Sequence, residues 1–452
     1  MSHARPDGTH DVTEETHYQL AIPVWGWLFW WPIRQAIRHR QDTFSYWWAP
    51  PERIPASATT VLGLLCAIQI VDGYLGTVLT QTLSFATDEF GYGTGTQGLV
   101  FGFVRFGVLV TLITAGIADR RGRRPLLLFT GLSSCVMTVI GGLAPNLVVL
   151  GGSQLLARGM STTLGILIAI MAVEEMPAQA RAWAASVLTM SAGLGAGIAV
   201  WALPLADLSL RGWRSIYLLS VFGILVIVWA GRQLPETTRF RQHADEPTPR
   251  SSTVRERRHE RLILLGLSLG LLALFTAPAS GFQNEFLRDE RGFSGTDIAV
   301  YTLVTSTPIG IGVLVGGHLA ETWGRRRTAL VGLLVGTVGT VISFLTTGPL
   351  LWISRLLANV IGAVAVPALA VYGPELFGTH DRSRANAVIV TAGVVGSAIG
   401  LLVTGLLSER WGGVGQPVAV LAIGPLLVAV LVHTWFPETA GRELEELTPE
   451  DA

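Results

Sequence analysis

No lysine occurs anywhere in the 452 residues, so all 32 of the Lys and Arg residues are arginine. That removes a lysine Schiff base, an ammonium proton carrier and a phosphate-loop lysine from consideration. Only two cysteines are present, Cys66 and Cys135, and both fall inside apolar runs, where a thiol behaves as a small hydrophobe rather than as half of a disulfide framework. Charge is scarce as well: 14% of residues are Asp, Glu, Lys or Arg, against about 25% in soluble domains. With a formal net charge of zero the chain offers no electrostatic footprint for nucleic acid. The chain also lacks a Walker-type loop, a zinc-spaced set of His or Cys, and a nucleophile elbow. An enzyme, a metal site, an organic cofactor and a built-in ATP motor are therefore not expected.

Half of the residues are hydrophobic and mean hydropathy is +0.49. The apolar residues are gathered into twelve runs at roughly 59–86, 97–118, 124–143, 147–174, 180–204, 213–234, 262–286, 297–320, 328–347, 350–374, 384–408 and 414–436. Each is close to the roughly 20 residues that a helix needs to cross a bilayer. The expected fold class is an all-α membrane protein of twelve transmembrane helices. Arginines concentrate in the links after runs 2, 4, 6, 8 and 10, at Arg120 to Arg124, Arg181, eight from Arg232 to Arg261, Arg325 to Arg327, and Arg382 with Arg384. The alternate links hold only Arg211, Arg214, Arg288, Arg291 and Arg410 at their edges. By the positive-inside rule the arginine-rich links and both termini are expected in the cytoplasm, in a multi-pass protein of the cell membrane.

The first 57 residues carry no signal-peptide pattern. They hold six of the 14 tryptophans, Trp25, Trp27, Trp30, Trp31, Trp47 and Trp48, around Arg34, Arg38, His39 and Arg40. Tryptophan beside arginine suits a headgroup layer, so an interfacial helix is expected, with a docking surface for a second protein as the competing reading.

The chain repeats itself. Asp119-Arg120-Arg121-Gly122-Arg123-Arg124 has a counterpart in Glu321-Thr322-Trp323-Gly324-Arg325-Arg326, and 321 minus 119 is 202. Pro235-Glu236-Thr237 recurs as Pro437-Glu438-Thr439 at the same offset of 202. Between each pair lies an acidic, proline-bearing link, Glu174-Glu175-Met176-Pro177 to Arg181 in one half and Pro374-Glu375-Leu376-Phe377 to Arg384 in the other. Three features in one order at nearly one spacing make two pseudo-symmetric six-helix bundles. The expected division is a cytoplasmic segment 1–57, a bundle 58–234, a cytoplasmic linker 235–261, a second bundle 262–436 and a tail 437–452.

With these turns the sequence resembles the major facilitator superfamily over nearly all of its length beyond residue 57. The two Pro-Glu-Thr ends and Phe436-Pro437-Glu438-Thr439-Ala440-Gly441-Arg442 most resemble the sugar-porter and organic-solute proton symporter branches. The family usually has glycine four residues before the aspartate of the first turn. This chain has Ala115 there, while the second half keeps Gly317. The resemblance implies that the carboxylates of the turns contact helix N-termini and arginines of the opposite half when the cytoplasmic side is closed. The gate residues it suggests are Asp119, Gly122, Arg123, Arg124, Glu174, Arg181, Glu321, Gly324, Arg325, Arg326, Glu375 and Arg384.

Ionisable residues inside the spans are the first candidates for a transport site, because they are costly in lipid and face a cavity or a partner. Asp72 lies about 13 residues into the first run, roughly 20 Å from its start. Gln69, Asp72, Gly73, Gly76 and Thr80 share a helical face that suits a cavity wall. Asp72-Gly73-Tyr74 also resembles the start of the first span in aromatic-acid proton symporters, with Leu75 where those have a second aspartate. Arg105 is about level with Asp72 and Arg158 about 8 Å shallower, so depth favours Arg105 as the ion-pair partner. Either arginine could meet an anionic substrate; a structural ion pair is the competing reading. In the seventh run Thr276, Ser280, Gln283 and Asn284 share one face, followed by Glu285, and adjacent amides suit hydroxyl or carboxylate groups of a solute. Arg355 and Asn359 lie nearer the outer surface, where the arginine could snorkel.

The sequence thus leads to a secondary active transporter, with proton-coupled symport of a small polar organic solute, a sugar or an organic or aromatic acid, by alternating access. Asp72 carries the proton and Gln69, Arg105, Arg158, Ser280, Gln283 and Asn284 the substrate. The expected partners are substrate, protons and the lipid bilayer, for a monomer without cofactor or metal. A proton-coupled exporter of drugs or metabolites and a transporter-like membrane sensor are the alternatives.

Overall fold

The computed structural model describes residues 2–4, 10–12, 30, 34, 54–111, 113–114, 122–177, 180–235, 256–370 and 382–438. Helices follow the apolar runs closely because a helix is the only open-ended backbone that satisfies its own polar groups in hydrocarbon. The first half holds α1 (Ala56–Phe90), α2 (Thr94–Arg105), α3 (Arg123–Gly142), α4 (Leu147–Glu175), α5 (Arg181–Trp201) and α6 (Trp213–Leu218 and Ser220–Gln233). The second holds α7 (Glu256–Gly281), α8 (Gly295–Ser306 and Ile309–Thr322), α9 (Arg325–Leu345), α10 (Pro349–Gly362 and Ala365–Ala370), α11 (Arg382–Trp411) and α12 (Gly415–Leu421 and Ile423–Thr434). Eleven described helices are long and apolar enough to cross a membrane. The remaining run, 97–118, which contains α2, is described only in part, as far as residue 114.

One departure from an all-helical chain is a small antiparallel hairpin, in which β1 (Ser2–Ala4) pairs with β2 (His10–Val12) in the register Ser2 to Val12. Of the tryptophan-rich stretch only Trp30 and Arg34 are described. Both are helical and exposed, and the Arg34 guanidinium carbon lies 4.9 Å from the Trp30 ring centre, the stacking that an i, i+4 spacing allows. Trp25, Trp27, Trp31, Trp47 and Trp48 lie outside the described residues.

Turn chemistry fixes the helix ends where the repeat occurs. Gly122 and Gly324 have φ of 89° and 94°, and each immediately precedes a helix, α3 or α9. A side chain at either position would force a left-handed backbone, which is why the repeated turn carries glycine there.

Within each half, small residues let the first and fifth helices cross backbone to backbone. Gly73 of α1 faces Ala192 of α5, and Gly195 of α5 faces Ile70. Their counterparts are Gly396 and Gly400 of α11, which face Gly270 and Leu274 of α7. Close approach of this kind supplies van der Waals packing where lipid removes the hydrophobic drive for association. Gly73 is therefore a packing residue, and the polar stripe expected on α1 is narrower than the sequence suggested.

The core runs through both halves, and at the end of the bundle with few arginines Trp213, Tyr217, Phe282 and Tyr301 are almost completely buried. Beneath them Arg214 is held by Glu89 at 2.9 Å through both Nε and Nη2, donates from Nη1 to the carbonyls of Gly142 and Ala144 at 3.0 and 2.8 Å, and stacks 4.8 Å from the Trp213 ring centre.

Candidate functional site

Asp72 sits in the middle of α1, half-buried, with its carboxylate turned toward α4. Ser161 of α4 donates to Oδ1 at 2.5 Å and Gln69, one turn earlier on α1, donates to Oδ2 at 3.2 Å. Both donors are neutral. The arginine whose charge acts on Asp72 is Arg158, one turn before Ser161, and its Nη1 donates to the Gly76 carbonyl at 2.6 Å. The depth estimate that favoured Arg105 is corrected here. Arg105 ends the first segment of α2, where the helix breaks before Gly107, and the charge that acts on it is the like charge of Arg158 rather than that of Asp72. Asp72, Gln69, Arg158 and Arg105 thus form one cluster, with two cations and one carboxylate. An anion would balance it.

In the second half the polar residues expected on one face of α7 part company. The helix stops at Gly281 and resumes as Gln283–Glu285; Gln283 stays on the side of Arg355, with Thr276 and Ser280, whereas Asn284 turns away. Thr276 and Ser280 are exposed and line a cavity of about 950 Å³ between α7 and α12. Gln283 is buried and accepts from Arg355 Nη2 at 2.5 Å. Arg355 does not snorkel: it is 8% exposed and lines the same cavity, with Asn359 one turn along α10.

Asn284 turns toward the first half, not into that cavity. Its Nδ2 donates to the carbonyl and the Oε1 of Gln81 on α1 at 2.8 and 2.9 Å. Glu285 does the same, accepting from Thr94 at 2.9 Å and from Gln97 at 2.5 Å, both on α2. These two are therefore part of a seam between the halves. The seam lies at the end of the bundle remote from the arginine-rich links. It also contains an ion pair between Asp88 and Arg288, and the edge-to-face contact of Phe101 with Phe282 at 5.8 Å. Gly98 of α2 and Gly405 of α11 meet there with backbone against backbone, where a Cβ on either would come within 3.0 Å of the other helix. Two carboxylates cross the seam to helix starts. Asp207 accepts from the N–H groups of Gly295 and Thr296, in the first turn of α8, at 2.8 and 3.1 Å. Glu409 accepts from the Gly95 N–H, in the first turn of α2, at 3.1 Å.

At the arginine-rich end, Arg123 pairs with Glu174, and Arg124 donates to the Gly231 carbonyl at 3.2 Å from Nε and 2.9 Å from Nη2. In the second half Glu438 receives the backbone N–H groups of Arg325 and Arg326 at 2.8 and 3.2 Å, so the glutamate of the second Pro-Glu-Thr caps α9 beside Gly324. Among the expected gate residues, Asp119 and Glu375 lie outside the described residues. Arg181 and Arg384 fall in the first turns of α5 and α11, and Glu321 in the last turn of α8.

Two six-helix halves, each with the same glycine turn, point to one family, and the sequence comparison decides it. The profile of the Major Facilitator Superfamily matches residues 65–303 and 275–451. The chain belongs to that superfamily. It is accordingly a multi-pass membrane protein of a transporter family and not an enzyme.

Superfamily relatives resemble it along most of their length. The chain is 23% identical over 389 residues to a cis,cis-muconate transport protein of Acinetobacter baylyi, an alignment covering 82% of this chain and 92% of the relative. It is 24% identical over 395 residues to the shikimate transporter of Escherichia coli, covering 78% and 88%. Among solved structures it superposes on the inward open form of the xylose transporter XylE from E. coli with a TM-score of 0.69 at 16% identity, covering 87% and 99% of the two chains. That likeness concerns the superfamily fold alone.

Sequence reasoning missed the buried setting of Arg355 and the seam carboxylates Asp207 and Glu409. For Asp207 and Glu409 a usable signal existed, since they stand at the repeat offset, but their partners are backbone N–H groups that no side-chain pattern reveals.

Proposed function

We propose that this chain is a secondary active transporter that imports a small organic acid together with protons, by alternating access of one site to the two sides of the membrane. The observation that carries this reading is the setting of Asp72. Its oxygens are held by the neutral donors Ser161 and Gln69, while Arg158 spends Nη1 on the Gly76 carbonyl. A carboxylate locked in a bidentate arginine pair would stay ionised, whereas one held by a hydroxyl and an amide can gain and lose a proton without dismantling its surroundings. Proton arrival neutralises the only carboxylate in the cluster, and the positive charge left on Arg158 and Arg105 then favours a substrate anion. Departure of the proton restores the Asp72 charge and releases that anion.

The named cargoes of the two relatives, muconate and shikimate, support an acid over a sugar as substrate. Arginine counts support the placement of the arginine-rich links and both termini in the cytoplasm of a cell-membrane protein. On that orientation the seam of Asp207, Glu285 and Glu409 seals the outer side, and the state described above faces inward. The glycine turns at Gly122 and Gly324, with Arg123, Arg124, Glu174, Arg325 and Arg326, serve as the cytoplasmic gate.

Purified protein in proteoliposomes, offered radiolabelled shikimate with an inward proton gradient, tests the reading. Accumulation above equilibrium that collapses with a protonophore is expected. Uptake that only equilibrates, whatever the gradient, removes the coupling; no uptake of shikimate, muconate or benzoate removes the substrate class.

A further inference from the structure

The second half holds a cavity of about 950 Å³ lined by α7 to α12, within the range of roughly 300–1,000 Å³ typical of small-molecule sites. Its walls are mostly Leu, Ile, Val, Phe, Ala and Gly, and Arg355 is the sole charged residue among the described residues that line it. Arg355 is 8% exposed. The guanidinium gives Nη2 to the neutral Gln283 amide at 2.5 Å, and its Nε has no hydrogen-bond partner. No Asp or Glu forms an ion pair with it among the described residues.

Three other arginines of this protein that are largely shielded from solvent each have a carboxylate partner. Arg214 has Glu89, Arg288 has Asp88 and Arg123 has Glu174. An arginine buried without an opposite charge is expensive, and a site that keeps one is completed by an anion from outside the chain. A single guanidinium on an apolar wall selects a group with one negative charge. A phosphate dianion would call for further cations or backbone donors, and the lining supplies none of the former.

The geometry points to the second-half cavity as a binding site for a monocarboxylate with a largely apolar body, the carboxylate meeting Nε of Arg355 and the body lying along Leu272, Phe275 and Leu333. Asn359 lies one turn along α10, but its Nδ2 is already given to the Thr305 carbonyl at 2.9 Å. That leaves its carbonyl oxygen as an acceptor for a hydroxyl on the body. The site rests on the reading of this chain as a carrier of organic acids and adds an anchor in the half opposite Asp72.

The test is ligand-induced thermal stabilisation of the purified full-length chain in detergent, with benzoate as the probe and benzyl alcohol as its neutral counterpart. Benzoate is expected to raise the melting temperature in a saturable way and benzyl alcohol to leave it unchanged. In Arg355→Gln the benzoate affinity is expected to fall by about 30-fold or more, as when one partner of a buried charge pair is removed. Arg355→Lys keeps the charge and retains part of the response. Ser280→Phe, which fills the cavity from another wall, abolishes it and provides the answer if Arg355→Gln does not fold. An unchanged benzoate response in both Arg355→Gln and Ser280→Phe overturns the site, as does a wild type that ignores benzoate. Failure of the transport reading is distinct: wild-type proteoliposomes would then bind benzoate yet accumulate no acid.

Discussion

Asp207 and Glu409 stand 202 positions apart, the spacing of the internal repeat, and each places its carboxylate on the first turn of a helix in the other half. Asp207 of the first half reaches α8 and Glu409 of the second reaches α2, so the two contacts are related by the pseudo-symmetry of the molecule. A carboxylate at a helix start gains from unpaired N–H groups and from the helix dipole, by about 0.3 to 1 kcal/mol when exposed and up to about 2 kcal/mol when partly buried. Two such contacts are enough to bias an equilibrium between conformations without freezing it.

The first prediction follows from this pair. Asp207→Asn combined with Glu409→Gln weakens the seam and raises the population open on that side by about tenfold, equivalent to roughly 1.4 kcal/mol. Labelling of Phe101→Cys with a membrane-impermeant maleimide reports it, since Phe101 contacts Phe282 across the seam and the native Cys66 and Cys135 are buried. Faster labelling in the double variant is expected; an unchanged rate removes the bias.

Closure also depends on the contact of Gly98 with Gly405. A Cβ on Gly98 would lie 2.7 Å from the Leu401 carbonyl oxygen and 3.0 Å from Gly405 Cα. Gly98→Leu is therefore expected to hold the halves apart and lower the rate of uptake at least about tenfold, because a packed crossing accepts no added volume without backbone movement. Gly193→Ala, at a glycine with open space around it, leaves uptake near the wild-type value. Equal uptake by all three proteins contradicts the closure.

Arg214 provides a prediction about stability rather than transport. Arg214→Ala removes two donors from the Glu89 carboxylate, which keeps Trp213 Nε1 at 2.8 Å and Arg211 at 3.3 Å, and leaves two backbone carbonyls without their donor. The expected destabilisation is about 1 to 3 kcal/mol, the cost of leaving buried acceptors unsatisfied, read as a lower midpoint of thermal unfolding in detergent. Arg211→Ala, whose side chain is 80% exposed, leaves the midpoint nearly unchanged.

Much of the fold was legible because the bilayer permits few solutions. Runs of about 20 apolar residues must be helices, arginine marks their ends, and the repeat at offset 202 doubles the evidence for each turn. Asp72 was legible for the same reason, as the one carboxylate deep in α1. Rotation and helix breaks were not. Arg105 looked level with Asp72 on a straight helix, but α2 breaks just after it, and the arginine that acts on the carboxylate is Arg158 of α4. Asn284 looked like a neighbour of Ser280 beside Gln283, but while Gln283 meets Arg355 at the cavity that Ser280 lines, Asn284 turns toward Gln81. Arg355 looked shallow by residue count, and only the packing of α10 against the rest of the second half reveals that it is enclosed.

The central claim is that Asp72 couples the proton to the solute, and solute movement in Asp72→Asn proteoliposomes tests it most directly. The account predicts that this variant still exchanges internal for external shikimate at equal concentrations, but no longer accumulates it when an inward proton gradient is imposed. Gradient-driven accumulation that persists in Asp72→Asn at the wild-type level contradicts it.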